Sequence, residues 1–459
     1  MDNINYDFMA APEIFDIPDS QFKASMEAIT DSSSVFDEDD GTISTRVVPG
    51  TDKKLVCWGY DNELPYNVAK MIGRDEVMAQ NKLFNVLTCY GSGLKYIDPD
   101  TGKPTNNKEV RDWLHHNSIP RIFLEQATDM KYYFFCVAVL ILSKDGSKIT
   151  NIVHKEACHC RFEVAKDGVV EHIFYANWRR SYVQPDEVEC IPLLSERDPI
   201  GDLDIRMGRA PGKDGLNKVR TSERKFAVVV KYPTVGSRYY PIPYYTSIFR
   251  GDWYDIKRLI GRGKKAKLKN HASVKYQVEV HKDFWRNIID EEHITDPIKA
   301  QERIKKEKEN IKNFVAGIEN SGKVWITGYY IDPNGHENRM VRVNMIDTGK
   351  EGGDWSEDIQ EASNMTCYCD NIHPNLVGAT PGKSQSNNSG SDKRELFTLK
   401  QSLEISFHDL MALPHEMVIH YNGWEEFVVP DVAMILLTTL DQHTDAKKIS
   451  SNTKADNYD

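Results

Sequence analysis

The sequence predicts an α+β fold in several parts, and three observations carry that reading. Short apolar runs punctuated by turn residues fill positions 46–243, the pattern of a strand-rich body with interspersed helices. Apolar residues recur at steps of three and four in 244–270, 354–372 and 393–413, as in helices with one buried face. Between the last two helices lies a tract, 376–391, with no large apolar side chain after Ala379 and Lys383 as its one basic residue.

Residues 1–45 form an acidic, Ser-rich N-terminal arm ending near Asp37-Glu38-Asp39-Asp40. Such an arm either docks on a neighbour or stays unanchored, and Tyr6, Phe8, Phe15 and Phe22 favour docking. The body, 46–243, opens with a strand at "KLVCWGY", then a turn into helix at "DNELPYNVAKMI" that continues towards "NKLFNVLTCYGSGLKYI". One or two helices suit 107–131. The segment "YYFFCVAVLILSKDGSKITNIVH" reads as strand, tight Asp-Gly turn and strand. Further strands are expected at 159–165, 169–177, 186–194 and 225–232.

After Pro241 and Pro243 comes a helix over 244–270, with Tyr245, Ile248, Asp252, Ile256, Leu259, Gly263 and Ala266 at helical spacing. Its first half is apolar and its second densely basic, at Lys257, Arg258, Arg262, Lys264, Lys265, Lys267 and Lys269. The basic end either complements the helix dipole in solvent or faces a phosphate backbone or an acidic neighbour. Residues 271–350 read as a small α/β insert. It has a strand at "SVKYQVEV", a helical piece at "DFWRNII" and a charged helix over 297–317 opened by Asp296-Pro297. Two strands about an Asp-Pro-Asn-Gly turn close it.

A helix over 351–373 follows, with Ile359, Ala362, Met365, Cys369 and Ile372 on one face and His373-Pro374 as its stop. The loop, 374–392, cannot bury itself and costs entropy to order, so in a compact region it is expected to have a task. From Lys393 a stripe of Leu396, Leu399, Leu403, Phe407, Leu410 and Met411 predicts a helix that Pro414 ends, with strand-like segments to 440 and a polar tail over 441–459.

A helix, an "NIHPNLVG" turn, a Gly/Ser/Asn loop and then "SDKRELFTLKQSLEISFHDLMALPHEMV" resembles, in its order of parts, the portal (head–tail connector) proteins of tailed double-stranded DNA bacteriophages. Asn62, Pro65 and Gly91-Ser-Gly93 sit where that family's folded part often begins. The resemblance implies an elongated subunit with an α/β wing (46–243), a two-helix stem (244–270 and 351–373), a clip (271–350), a tunnel loop (374–392) and a long wing helix with returning strands (393–440). The 441–459 tail is too short for a large crown. It further implies a homo-oligomeric ring, by resemblance a dodecamer, at one capsid vertex of the virion, assembled in the host cytoplasm. DNA would pass through it in packaging and ejection, and it would dock terminase, then a head–tail adaptor, beside capsid and scaffold proteins. The loop residues Gly382, Lys383, Ser384, Gln385, Ser386, Asn387, Asn388 and Ser389 would narrow the channel. Arg262, Lys264, Lys265, Lys267 and Lys269 would form a basic stem facing DNA or a neighbouring subunit.

Composition sets limits on other functions. A net charge of -11 argues against a surface that grips nucleic acid throughout, whereas a sliding duplex favours few phosphate contacts. The eight cysteines are scattered, so a disulfide framework is not expected and a reducing compartment is. The start carries no signal-peptide pattern, and the longest apolar run, 132–142, is too short to span a bilayer. Cys158-His159-Cys160 after His154 suggests zinc, but neighbouring strand residues point to opposite faces, and no metal or other cofactor is expected. Cys367, Cys369 and His373 have a similar defect. "GATPGKS" lacks Walker spacing, because three residues separate Gly378 from Gly382 and Val377 stands where a glycine is required. Asp198, Asp202 and Asp204 read as a polar loop. No catalytic set is legible. Another virion head or adaptor protein, or a nucleotide-dependent nucleic-acid enzyme, are the competing readings.

Overall fold

The computed structural model describes residues 44–179, 183–236, 239–270, 276–316, 329–331, 337–345, 354–377 and 390–435. They divide into two compact units, one made of the described residues within 258–355 and the other of those within 44–257 and 356–435. Both divisions fall inside helices.

The larger unit begins with a hairpin, β1 (Thr45–Val47) and β2 (Lys54–Val56), followed by helices α1 (Leu64–Ile72) and α2 (Glu76–Tyr90) and strand β3 (Lys95–Ile97). Helices α3 (Lys108–Asn117) and α4 (Ile119–Tyr133) are separated only by Ser118, whose φ of 49° breaks the helical path. Strands β4 (Phe135–Leu142) and β5 (Ile149–Lys155) flank the expected Asp145-Gly146 turn, where Gly146 takes a φ of +75°. Tyr132 and Tyr133 close α4 instead of opening the strand. Next come β6 (Cys160–Phe162), β7 (His172–Tyr175), β8 (Glu189–Pro192), α5 (Pro199–Arg206) and β9 (Lys225–Lys231).

Two three-stranded antiparallel sheets organise this unit, β5-β4-β9 and β6-β7-β8. Strand β4 reads as an unbroken apolar run because both its faces are covered. Cys136, Ala138, Leu140 and Leu142 join a core with Trp113, Phe123, Met130 and residues 411–428. Phe135, Val137 and Val139 pack with Trp58, Phe162 and Ile173 of the second core. Burial on two faces removes the need for polar alternation.

The predicted 244–270 helix is interrupted. A four-residue turn of helix, α6 (Ser247–Arg250), stops at Gly251, and the regular helix α7 (Trp253–Asn270) starts afterwards. In the smaller unit, β10 (Tyr276–Val280) is followed by α8 (Lys282–Glu291), α9 (Pro297–Ala316), β11 (Tyr329–Ile331), β12 (Glu337–Arg339) and β13 (Val341–Met345). β10 pairs antiparallel with β13, so the strand within "RMVRVNMID" joins the first strand of the segment, while β11 pairs with the separate short strand β12. Trp285, Ile289, Ala300, Ile311 and Val341 are its buried apolar residues among those described.

Helix α10 (Asp354–Cys369) leads through Ile372 and Pro374 into one short turn, α11 (Pro374–Val377). Helix α12 runs from Gly390 to Asn422 with Pro414 inside it. Here the expected stop at Pro414 and strands after it are corrected: the helix continues because Met417, Val418, Ile419 and Tyr421 all belong to the main core. Their burial outweighs the roughly 3 kcal/mol that an interior proline costs. Among the described residues after it, only β14 (Val429–Asp431) returns as a strand, pairing antiparallel with β3. The expected polar loop at 195–206 is α5. Asp198 caps it by accepting from the Gly201 N–H at 2.8 Å, and Asp202 pairs with Arg206 at 2.8 Å. No helix among the described residues is long and apolar enough to cross a membrane.

Candidate functional site

The tract from Gly382 to Ser389, with Lys383, Ser384, Gln385, Ser386, Asn387 and Asn388 between, lies outside the described residues. What surrounds it is described. On its N-terminal side α10 ends at Cys369, just before Asp370, and α11 packs on α12; on its C-terminal side α12 begins. Both sides are tied to the same pair of helices, α2 and α4, by charges that the sequence did not single out.

Lys82, on α2, reaches Asp370 at 2.6 Å with both side chains only 2% exposed. Its ammonium also stands 3.0 Å above the centre of the Tyr245 ring. Burial pulls the Lys82 pKa down to about 8, against the attraction of Asp370. Asn85 donates to the Asp370 carbonyl at 3.0 Å. One turn further along the site, Lys131 of α4 pairs with Glu404 of α12 and lies 3.3 Å over the Phe407 ring. Lys400 pairs with Glu404 at 3.3 Å and donates to the Asn371 carbonyl at 3.3 Å. Three ammonium groups and two carboxylates are therefore held out of water, where each needs its partner.

This network rotates the buried face of α12. The apolar stripe predicts Leu396, Leu399 and Leu403 inward, but Leu399 is 58% and Leu403 46% exposed, while Lys400 and Glu404 are buried. From Phe407 onwards the expectation holds, with Met411 fully buried and Phe407 and Leu410 packed on the core. On α2, Leu83 and Leu87 are likewise exposed.

In the basic helix α7, Lys257 is no free cation. It meets Asp75 at 2.6 Å, both buried, and Asp75 also caps α2 by accepting from the Met78 N–H at 2.8 Å. Of the residues assigned to a basic face, Arg262 and Lys265 are exposed and Lys264 is half-buried. Lys267 and Lys269 lie within the helix. Trp355 approaches Gly263 closely enough that a Cβ there would sit 3.4 Å from the indole.

The cysteine and histidine residues weighed for zinc are placed differently than strand geometry implies. Residues Ala157–His159 form a 3-10 turn, and only Cys160 enters β6. Glu156, Cys158 and His159 each bring one donor atom within 4.8 Å of the others. Cys160 is fully buried, and His154 instead pairs with Asp129 at 2.9 Å. Burial pushes the Cys158 thiol up to about 12, with Asp129 and Glu156 adding to it.

No family model and no curated relative matches the chain. Solved structures do. The neck of the empty GTA particle computed with C6 symmetry matches with a TM-score of 0.52 at 11% identity, over 89% of this chain and 91% of that one. The neck of the native GTA particle computed with C12 symmetry gives the same values. The virion of the native gene transfer agent (GTA) particle matches with a TM-score of 0.47, at 11% identity over 86% and 87% of the two chains. The first two establish a shared fold along nearly the whole length of both chains.

Proposed function

We propose that this chain is the portal-type subunit of a tailed, virus-like particle: one stave of a ring that serves as the channel for DNA entry and exit. The supporting observation is the whole-length fold likeness to a neck component solved in particles treated with six- and twelve-fold symmetry. Cyclic symmetry requires a heterologous interface, in which one patch meets a different patch on the next copy and the rotation closes. The order of parts, with an α/β insert between two helices and a polar tract before a long helix, supplies what such a ring uses.

In this reading the chain does no bond chemistry. The tract around Gly382–Ser389 narrows the bore, and its small uncharged side chains with Lys383 touch phosphates weakly, so that a duplex can move. Arg262, Lys264, Lys265, Lys267 and Lys269 add either a weak phosphate track or contacts to the next subunit. The insert docks the terminase during packaging and an adaptor afterwards, and the body contacts capsid or scaffold proteins at one vertex.

Negative-stain imaging with size-exclusion chromatography tests the core of the proposal. Rings with a central hole are the expected outcome, with twelve subunits if they follow the C12 symmetry of the similar neck structure. A protein that stays monomeric at every concentration and in the presence of its particle components would remove the reading.

A further inference from the structure

We propose that Glu156, Cys158 and His159 form a zinc-binding site on the body of the subunit. The sequence argues against it only if these residues lie on a strand. They lie on a 3-10 turn, which lets Cys158 and His159 present their donors on the same side as Glu156. His159 Nε2 is 3.3 Å from Glu156 Oε2, and Cys158 Sγ is 4.0 Å from the same oxygen. Sulfur, imidazole and carboxylate are the three donor types zinc accepts, and three protein ligands leave a fourth tetrahedral position for water.

The turn is braced as a ligand platform would be. The Ala157 N–H donates to Asp129 Oδ2 at 2.7 Å, and the His159 carbonyl accepts from the Trp178 indole N–H at 2.9 Å and the Ala176 N–H at 3.1 Å. The Tyr66 hydroxyl lies 2.8 Å from His159 Nδ1. With the proton on Nδ1 donated to Tyr66, the Nε2 lone pair is left facing Glu156 and Cys158, and the tyrosine holds the ring in the orientation a ligating histidine needs. Tyr66 and Tyr175 flank the imidazole, with ring centroids 5.5 and 5.9 Å away. Arg161 donates to the Cys158 carbonyl at 2.9 Å and is the opposing positive charge, set against the carboxylates of Glu156 and Asp129. Zinc uptake displaces the Cys158 thiol proton to solvent, giving a zinc–thiolate bond with no change of oxidation state.

The test uses the purified full-length chain, with metal removed by a chelator and then dialysed against zinc or cobalt(II) chloride. One zinc per chain is expected, and the cobalt form should show a thiolate-to-cobalt charge-transfer band. Cys158→Ser should abolish that band, while Cys190→Ser, on the exposed β8 cysteine, should leave it intact. Glu156 is largely exposed, so Glu156→Gln tests the site without threatening the fold, and should weaken zinc at least about tenfold. Tyr66→Phe should weaken it about tenfold through the lost orientation of His159. Zinc well below one per chain, a cobalt band that survives Cys158→Ser, or wild-type affinity in Glu156→Gln would each overturn the site.

Discussion

Glu404 is 1% exposed and stands between two lysines, Lys131 and Lys400, that are themselves almost fully buried. Replacing it with alanine strands both ammonium groups in a low-dielectric interior, and losing one partner of a buried pair costs on the order of 3–5 kcal/mol. Chemical denaturation of Glu404→Ala should show a loss of that size, whereas the concerted change of Glu404, Lys131 and Lys400 to Leu, Met and Met should restore most of it. A loss below about 1 kcal/mol would place the pair in the class of exposed ion pairs. His420 tests electrostatics of the opposite kind. Its Nε2 lies 3.0 Å from Asp204 and its Nδ1 2.7 Å from Glu425, and those two carboxylates raise its pKa above the usual 6.5. A raised folded pKa stabilises the fold fully below the unfolded value, and that contribution disappears as pH climbs through the folded pKa. Melting temperature should therefore fall modestly between about pH 6 and about pH 9, and His420→Gln should flatten the difference. The effect is small because the imidazole is more than a third exposed. None of these pairings was legible in the sequence. Lys400 and Glu404 look like an exposed i,i+4 pair until α4 delivers Lys131 to the same place, and only the fold makes that juxtaposition.

Helices and strands were read best where one physical signal dominated. The apolar run in β4 and the Asp145-Gly146 turn admit one solution, and Asp296-Pro297 opens α9 at the expected place. Reading failed where packing overruled a local rule. Pro414 breaks helices in isolation, but the main core covers α12 on both sides of it. The Leu396/Leu399/Leu403 stripe has the helical period yet lost the inward position to a charged network one residue away. That loss has a consequence under the proposed ring. Leu399 and Leu403 expose apolar surface that a lone subunit gains nothing by showing, and a neighbouring copy is the occupant the proposal supplies. Leu403→Glu should leave the far-ultraviolet spectrum and melting of the isolated chain within about 0.5 kcal/mol of wild type while shifting size-exclusion profiles from ring to monomer. Rings that form as readily as wild type would exclude this face of α12 from the subunit contact.

For the molecule as a whole, the α+β class rests on many weak signals that agree, periodicity, turn chemistry and helix starts, none of which is diagnostic alone. The channel role proposed for the 374–392 tract is the part that no packed residue reports, because a loop of Gly, Ser and Asn would act in an assembly and not in a core. Its two ends nonetheless have a definite setting. Asp370 and Asn371 on one side, and Lys400 and Glu404 on the other, are held through Lys82 and Lys131 on the same two helices. Those anchors lie outside 384–389, and since even a twofold change in loop length shifts the closure entropy by only about 0.6 kcal/mol, removing six residues between them shifts it less. Deleting 384–389 should therefore leave folding and ring assembly unchanged, since neither the core nor the buried charges lose a partner. If the tract lines the bore, packaged DNA measured by nuclease protection should drop sharply, or escape after packaging, in particles built on the shortened subunit. Wild-type packaging and retention in intact shortened rings would take the bore away from this loop and leave the stem helices as the surface a duplex meets.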